Sequence, residues 1–290
     1  MITLLKTDFD PDSDFDISEI YWLGNDKHMQ PPIAIIGVGE LGGVFARAFL
    51  RAGHPVYPVT RNMPLNQTLE QIPPPALTLA AVGEKDLPAV LRELGADKRS
   101  SLGLLQNELL PETWQSNGVT DPTVISVWFE KKKGMDVKVL RPSPLFGPQM
   151  EVMAAALDGI GIPCRRLASF DELLLELVVK NVFVYMINIC GLKTGGTTGK
   201  LWAAHNELAQ RVAAEIINLQ EALTKTNFSR RKLMDGVAEG VAGDPEHKCM
   251  GRSAPARLTR FLAMADQAGT KADTVRRIQA ELNQDQAQGD

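Results

Sequence analysis

The sequence predicts an α/β protein in two parts, a doubly wound sheet followed by an all-helical C-terminal domain, and three observations carry that prediction. From Ile33 onward, short apolar runs alternate with helix-length stretches, the pattern of βαβ units around a mainly parallel sheet. Three closely spaced glycines, Gly37, Gly39 and Gly42, follow the first apolar run directly. Beyond about Gln149 the strand-like runs give way to helical periodicity. A chain of 290 residues is also longer than one typical domain.

Residues 1–30 are acidic and irregular and end in Gln-Pro-Pro, so they read as an extension. The sheet domain is then 31–148 and the helical domain 149–290. Within the first, "IAIIG" and "PVYPV" predict strands around the helical "ELGGVFARAFLRAG". A Pro-rich connection leads to the strand "LTLAAV", a helix "DLPAVLREL" with Asp86 as N-cap, and the strand "SLGLLQN". "TVISVWF" and "DVKVL" read as further strands. Arg141–Pro148, with three prolines and a glycine, breaks the pattern and marks the domain boundary. The second part contains "MEVMAAALDGIGI", the long apolar "FDELLLELVVKNVFVYMINICGL", a "KTGGTTG" turn, "KLWAAHNELAQRVAAEIINLQEALTKT", and one or two last helices before a polar tail.

The glycines form G-x-G-x-x-G between a strand and a helix, the context in which each has a role. The first allows a tight turn, the second lets backbone approach a pyrophosphate, and the third lets the helix pack close to the strand. The helix N-terminus adds unpaired N–H groups for an anion. A Rossmann-type dinucleotide site is therefore expected, with Gly37, Val38, Gly39, Glu40, Leu41 and Gly42 against the cofactor. An NAD site usually carries an acid at the end of the second strand, where this chain has Thr60, Arg61 and Asn62. A hydroxyl and a guanidinium suit a 2′-phosphate, so NADPH is the expected cofactor.

Lys180 and Asn181 interrupt an otherwise apolar helix. Lys180, Val184 and Asn188 share one helical face, which lets an ammonium and a carboxamide point into one cleft. Low dielectric there would draw the lysine pKa toward neutrality and make it a general acid. An alkyl stem lying over apolar surface, with its ammonium in water, is the alternative this segment alone leaves open.

Taken together, "GVGELGG", "LLQNELLPE" and "KNVFVYMINICGLKTGGTTGKL" resemble the ketopantoate reductase family, over roughly Ile33 to Trp202. The resemblance implies an NADPH-dependent reductase of a 2-oxo acid with a dinucleotide domain and a helical domain. In that family a lysine opens the first helix of the second domain, asparagines follow one and two turns later, and a T-G-x-x-x-G-x-L turn comes next. Lys180, Asn188, Thr194, Gly195, Gly199 and Leu201 match. The resemblance implies that Lys180 protonates the substrate carbonyl oxygen, that Asn107 reaches toward nicotinamide and substrate, and that Asn188 positions substrate.

Three departures stand out. Val184 replaces the first asparagine, and Glu108 replaces the glycine after Asn107. Of the family's C-terminal serine and glutamate, which hold the substrate's carboxylate and hydroxyl, Ser253 is a loose match for the serine and the glutamate has none. From His247 to Ala265 the chain has no acid but carries Lys248, Arg252, Arg257 and Arg260. Arg252, Ser253 and Arg257 are the candidates for an anionic substrate, against the alternative of a solvated basic helix face.

A net charge of −4 gives no basic balance for nucleic acid. Cys164, Cys190 and Cys249 are an odd number with no C-x-x-C pair, which argues against a disulfide framework. The four histidines show no metal-ligand spacing, and no G-x-S-x-G elbow occurs, so no metal and no nucleophile are assigned. The apolar stretch around Leu173–Ile189 is broken by Glu176, Lys180, Asn181 and Asn188, and no signal or transit peptide is read at the N-terminus. A cytoplasmic protein with no membrane partner is expected, with a homodimer kept open. Two other readings remain: a reductase of the β-hydroxyacid dehydrogenase type, and a cofactor-binding regulator without a substrate site.

Overall fold

The computed structural model describes residues 30–289, so the extension read at 1–30 lies almost wholly outside the described residues. Strands β1 (Ile33–Ile36), β2 (Val56–Val59), β3 (Leu77–Ala80), β4 (Leu102–Leu104) and β5 (Thr123–Ile125) are joined by α1 (Glu40–Arg51), α2 (Leu65–Glu70), α3 (Leu87–Glu93), a 3-10 turn and α4 (Pro111–Gln115). Strands β8 (Ser143–Phe146) and β9 (Cys164–Arg166) complete a seven-stranded sheet in the order β2-β1-β3-β4-β5-β8-β9. The β1–β5 pairings are parallel, and β8 runs antiparallel to β5. β2 is an edge strand, which explains why Pro58 is tolerated within it.

Alternate residues of β1 face opposite layers, and all are buried. Ile33 and Ile35 pack with Phe45 and Phe49 of α1, whereas Ala34 and Ile36 pack with Leu65, Leu87 and Leu91. A strand covered on both faces reads as a continuous apolar run rather than an alternating one.

The "RPSPLFGP" stretch, expected to mark a boundary at 148, contains β8. Helix α5 (Met150–Asp158) and β9 then follow, with Met153, Ala154 and Leu157 buried against the β1–α1 layer. The chain thus remains with the sheet beyond 149 and turns wholly helical only at α6 (Phe170–Thr194). The prolines mislead because β8 lies near the end of the sheet, where pairing with β5 is short. "DVKVL" also departs from expectation: β7 (Lys138–Val139) pairs with β6 (Phe129–Glu130) in a separate two-stranded ribbon. Asp86 takes the N-cap position of α3, yet its side chain makes no capping bond and lies 3.8 Å from Arg61.

The second part is built around α6. Helices α7 (Thr198–Ala204), α8 (Asn206–Thr224), α9 (Arg230–Gly243), α10 (Ala254–Ala268) and α11 (Asp273–Gly289) follow, three after residue 225 where one or two were expected. The polar tail runs on as helix because α11 continues through it. Helix α6 is long and apolar enough to cross a membrane, with mean hydropathy 1.8, but 89% of that window is buried inside the protein. It is a core helix. Ser169 caps it, accepting from the N–H of Glu172, with Asp171 and Glu172 in the first turn to complement the helix dipole. Asn181 is satisfied by Gln220 of α8 at 2.9 Å, which explains one of its two central polar residues.

Candidate active site

The glycine loop lies between β1 and α1, where the neighbouring β2 and β3 connect in opposite directions from β1, the switch point at which open α/β sheets bind ligands. Gly37 has φ +91°, and a Cβ there would meet the Ala81 carbonyl at 2.8 Å. A Cβ at Gly42 would fall 2.1 Å from the Gly37 oxygen, so helix and loop pack at a distance only glycine permits. A Cβ at Gly39 would meet nothing within 4 Å, which leaves its backbone open on the side a ligand would approach. The loop borders a cleft of about 730 Å³ that also includes Thr60, Arg61 and Asn62. The residues present fit a dinucleotide. Val38 and Gly39 line the same cleft, Leu41 faces the neighbouring one, and the Glu40 carboxylate instead turns 3.3 Å to Lys131.

Arg61 has 90% of its side chain exposed. Its contact with Asp86 is a surface pair worth at most ~1 kcal/mol, so the guanidinium is free to bind an anion. The neighbouring Asp86 was not foreseen as a partner, because the capping reading assigned it elsewhere.

A second cleft, of about 260 Å³, opens between the sheet and α6 and is lined by Asn107, Trp128, Lys180, Val184, Asn188 and Arg257 among others. The structure therefore brings together the helical row Lys180–Val184–Asn188 and the loop residue Asn107. Lys180 stands in the middle of α6 rather than at its opening, since the helix begins several turns earlier. Its Nζ lies 4.2 Å from the centroid of Trp128 and 5.9 Å from that of Phe183. Among the described residues no carboxylate pairs with it. Burial, reinforced by the positive charges of Arg141 and Arg257, lowers its pKa from 10.5 to about 7.

Arg141 lies 4.2 Å from the same Trp128 ring and is itself anchored by Glu176 and by Glu239 at 2.8 Å. Trp128 therefore holds two cations at close range, a favourable cation–π geometry that partly compensates their repulsion. Neither residue is legible as a site member from the sequence, because the contact joins the sheet to the helical part across residues far apart in the chain.

Asn107 donates to Glu84 at 3.2 Å. Asn188 donates to the Val184 carbonyl at 2.8 Å, which leaves one amide hydrogen for a ligand, and its oxygen accepts from Arg257 at 3.4 Å. Arg257, expected to bind an anionic substrate, is already heavily engaged. It donates to Glu108 at 2.7 Å, to Ser253 at 2.7 Å and to Glu84 at 3.2 Å as well. The acid that the C-terminal segment lacks is thus supplied from the sheet side. Arg257 is held in place by these acids, and Ser253 accepts from it. Arg252 lies in a different lobe of the cleft, beside Lys248.

Glu108 occupies the position of the glycine in the resembling stretch and has φ +60°. The loop still takes the left-handed conformation a glycine prefers, at a cost on the order of 1 kcal/mol for a side chain. What offsets it is visible: Arg257 and Arg260 donate to the carboxylate at 2.7 Å each, and the Tyr185 hydroxyl donates at 2.6 Å. Burial pushes the Glu108 pKa up, but the hydrogen bonds from Arg260, Tyr185 and Arg257 outweigh it and the net shift is downward.

The T-G-x-x-x-G-x-L turn places the segment that follows α9. Gly195 and Gly196 have φ +61° and +73° as the chain leaves α6, and Thr197 caps α7. A Cβ at Gly199 would meet the Pro245 Cβ at 2.9 Å, so α7 packs tightly on the segment carrying His247. The His247 Nδ1 lies 3.4 Å from Glu130 and 3.7 Å from Asp244, a grouping that sequence spacing does not reveal. Lys132 and Lys138 already pair with these carboxylates at 3.0 and 2.6 Å, which accounts for the cluster as an ion network.

This arrangement is a doubly wound sheet domain joined to an α-helical domain, with a lysine-bearing cleft at their junction. No protein-family model matches the chain, and no curated protein matches it. Among solved structures, 2-dehydropantoate 2-reductase from Methylococcus capsulatus shares the fold with a TM-score of 0.66 at 14% identity, over 89% of this chain and 97% of that one. A dimeric ketopantoate reductase from Staphylococcus aureus has a TM-score of 0.61 at 15% identity, over 87% and 97%. A D-mandelate dehydrogenase with NADH and anilino(oxo)acetate has a TM-score of 0.58 at 12% identity, also over 87% and 97%. The fold expected from the sequence resemblance, that of the ketopantoate reductases, is the fold observed.

Proposed function

We propose that this protein is an NADPH-dependent reductase of a small 2-oxo acid, with ketopantoate as the first substrate to test. The observation that carries the reading is Lys180, an ammonium with no carboxylate partner among the described residues, set in a cleft that adjoins the glycine loop through Leu41. The fold neighbours, described as ketopantoate reductases and a D-mandelate dehydrogenase, support the same class. Gly37, Gly39, Gly42, Thr60 and Arg61 hold the nucleotide in this proposal. The nucleotide supplies a hydride to the carbonyl carbon. Lys180 delivers a proton to the carbonyl oxygen as negative charge develops there, and a pKa near 7 suits that exchange at neutral pH. Asn107 and Asn188 orient the substrate, and Arg257 keeps both in place through Glu84 and the Asn188 oxygen.

Absorbance-monitored NADPH oxidation with ketopantoate and a panel of other 2-oxo acids tests the activity. Turnover of at least one is expected. Tight NADPH binding with no turnover would overturn the enzyme reading in favour of a cofactor-binding regulator. Arg61→Ala is expected to weaken NADPH binding at least ~10-fold more than NADH binding, since only the former carries the 2′-phosphate. Equal losses would remove Arg61 from the cofactor site. A homodimer is part of the proposal, supported by the dimeric S. aureus neighbour and read directly by sedimentation of the purified protein.

A further inference from the structure

The lysine cleft continues into a second lobe of about 480 Å³, and Asn188, His247 and Arg257 line both. The outer lobe adds Lys132, Lys248, Arg252 and Ser253, and among the described residues no Asp or Glu lines it. Two of its cations are already balanced, Lys132 by Glu130 at 3.0 Å and Arg257 by Glu84 and Glu108. Lys248 and Arg252 form no ion pair among the described residues, and neither lines the inner lobe that holds Lys180.

A positive lobe set apart from the reacting centre has a specific consequence for a 2-oxo acid. The C1 carboxylate is bonded directly to the carbonyl carbon, so it stays in the inner lobe when the carbonyl oxygen is at Lys180. Asn188, His247 and Arg257 stand between Lys180 and the pair Lys248 and Arg252, which line the outer lobe only. The C1 group does not extend that far from the carbonyl, and a simple alkyl chain would bring no charge to Lys248 or Arg252.

We infer that the substrate is a 2-oxo acid carrying a second anionic group, a carboxylate or a phosphate, which Lys248 and Arg252 bind in the outer lobe. This rests on the 2-oxo-acid reading and narrows it to a dianionic substrate class. Basic groups with no ion pair among the described residues bind such an anion through charge-assisted hydrogen bonds, and no described acid lines the lobe to repel it.

The test compares kcat/KM for matched pairs: 2-oxoadipate against 2-oxohexanoate for a distal carboxylate, and 3-phosphohydroxypyruvate against hydroxypyruvate for a phosphate. At least one dianion is expected to exceed its counterpart by ~10-fold or more, and the pair that does so identifies the anion. In the Lys248→Ala/Arg252→Ala double variant that ratio should fall toward one. Equal use of dianions and monoanions, or a preference the double variant leaves intact, would overturn the inference while the reductase reading stands. Calorimetric titration of wild type and variant with adipate, hexanoate and inorganic phosphate separates the other case. Without turnover, adipate or phosphate binding that the variant loses would retain the anion lobe and reject the reductase; no difference would reject both.

Discussion

Lys180→Met is expected to reduce 2-oxo acid turnover by about 10²–10⁴-fold, the usual range for losing a positioned general acid, while raising the melting temperature. The two effects share one cause. The ammonium is held under Trp128, beside Arg141 and Arg257, with no carboxylate paired to it among the described residues. Methionine of similar length fills the space without the desolvation cost and forfeits only a cation–π contact of about 0.5–2 kcal/mol. A net gain on the order of 1 kcal/mol corresponds to about 2–4 °C for a protein of this size class. The sign also fixes the pH dependence. The folded pKa of about 7 is below the unfolded value of 10.5, so between these limits the unfolded chain holds the extra proton. Wild-type stability therefore rises with pH across that window, and the advantage of the variant is fully present below pH 7 and shrinks toward pH 10.5. Wild-type reductase activity should fall as pH rises through about 7, because the acid form is lost. A variant of unchanged activity, or one with a lower melting temperature at pH 6, would remove Lys180 from the role proposed for it.

The glycine loop and the Lys180–Asn188 row are legible in the sequence because both are local. Each depends on spacing along one strand–turn–helix unit or one helix face, and the structure places both as that spacing implies. Arg141, Trp128 and Glu84 escape such reading because they meet the site from distant segments. Arg257 shows the same limit from the other side. Its position in an acid-free stretch suggests a free cation, but the acids that neutralise it, Glu84 and Glu108, come from loops after β3 and β4. The return of the chain to the sheet at β8 and β9 escapes for a different reason. Prolines are read as breaks in regular structure, whereas a short strand near the sheet's end needs few ladder bonds and accommodates Pro144.

Glu108 shows how the departure from glycine is accommodated, and removing its carboxylate should have the largest effect on stability. Glu108→Ala would leave Arg257, only 10% exposed at its side chain, without its main counter-charge, and the Tyr185 hydroxyl without an acceptor. Breaking such a buried pair costs about 3–5 kcal/mol. Glu108→Gly loses the same contacts but relieves the left-handed backbone, so it should be about 1 kcal/mol less destabilising than Glu108→Ala in denaturant titrations. Because the folded pKa of Glu108 is lowered from 4.5, its contribution is fully present above that value and is lost as pH falls through the folded pKa. The stability gap between wild type and Glu108→Gln should accordingly close in acid. Since Glu108 directly follows Asn107 and holds Arg257, these variants should also lower kcat/KM for the 2-oxo acid while leaving nucleotide affinity at the distant Arg61 end of the cleft unchanged. Equal stability of all three variants and wild type at pH 7 would mean that the arginines find water as readily as the carboxylate. The side chain at φ +60° would then have no compensating contact.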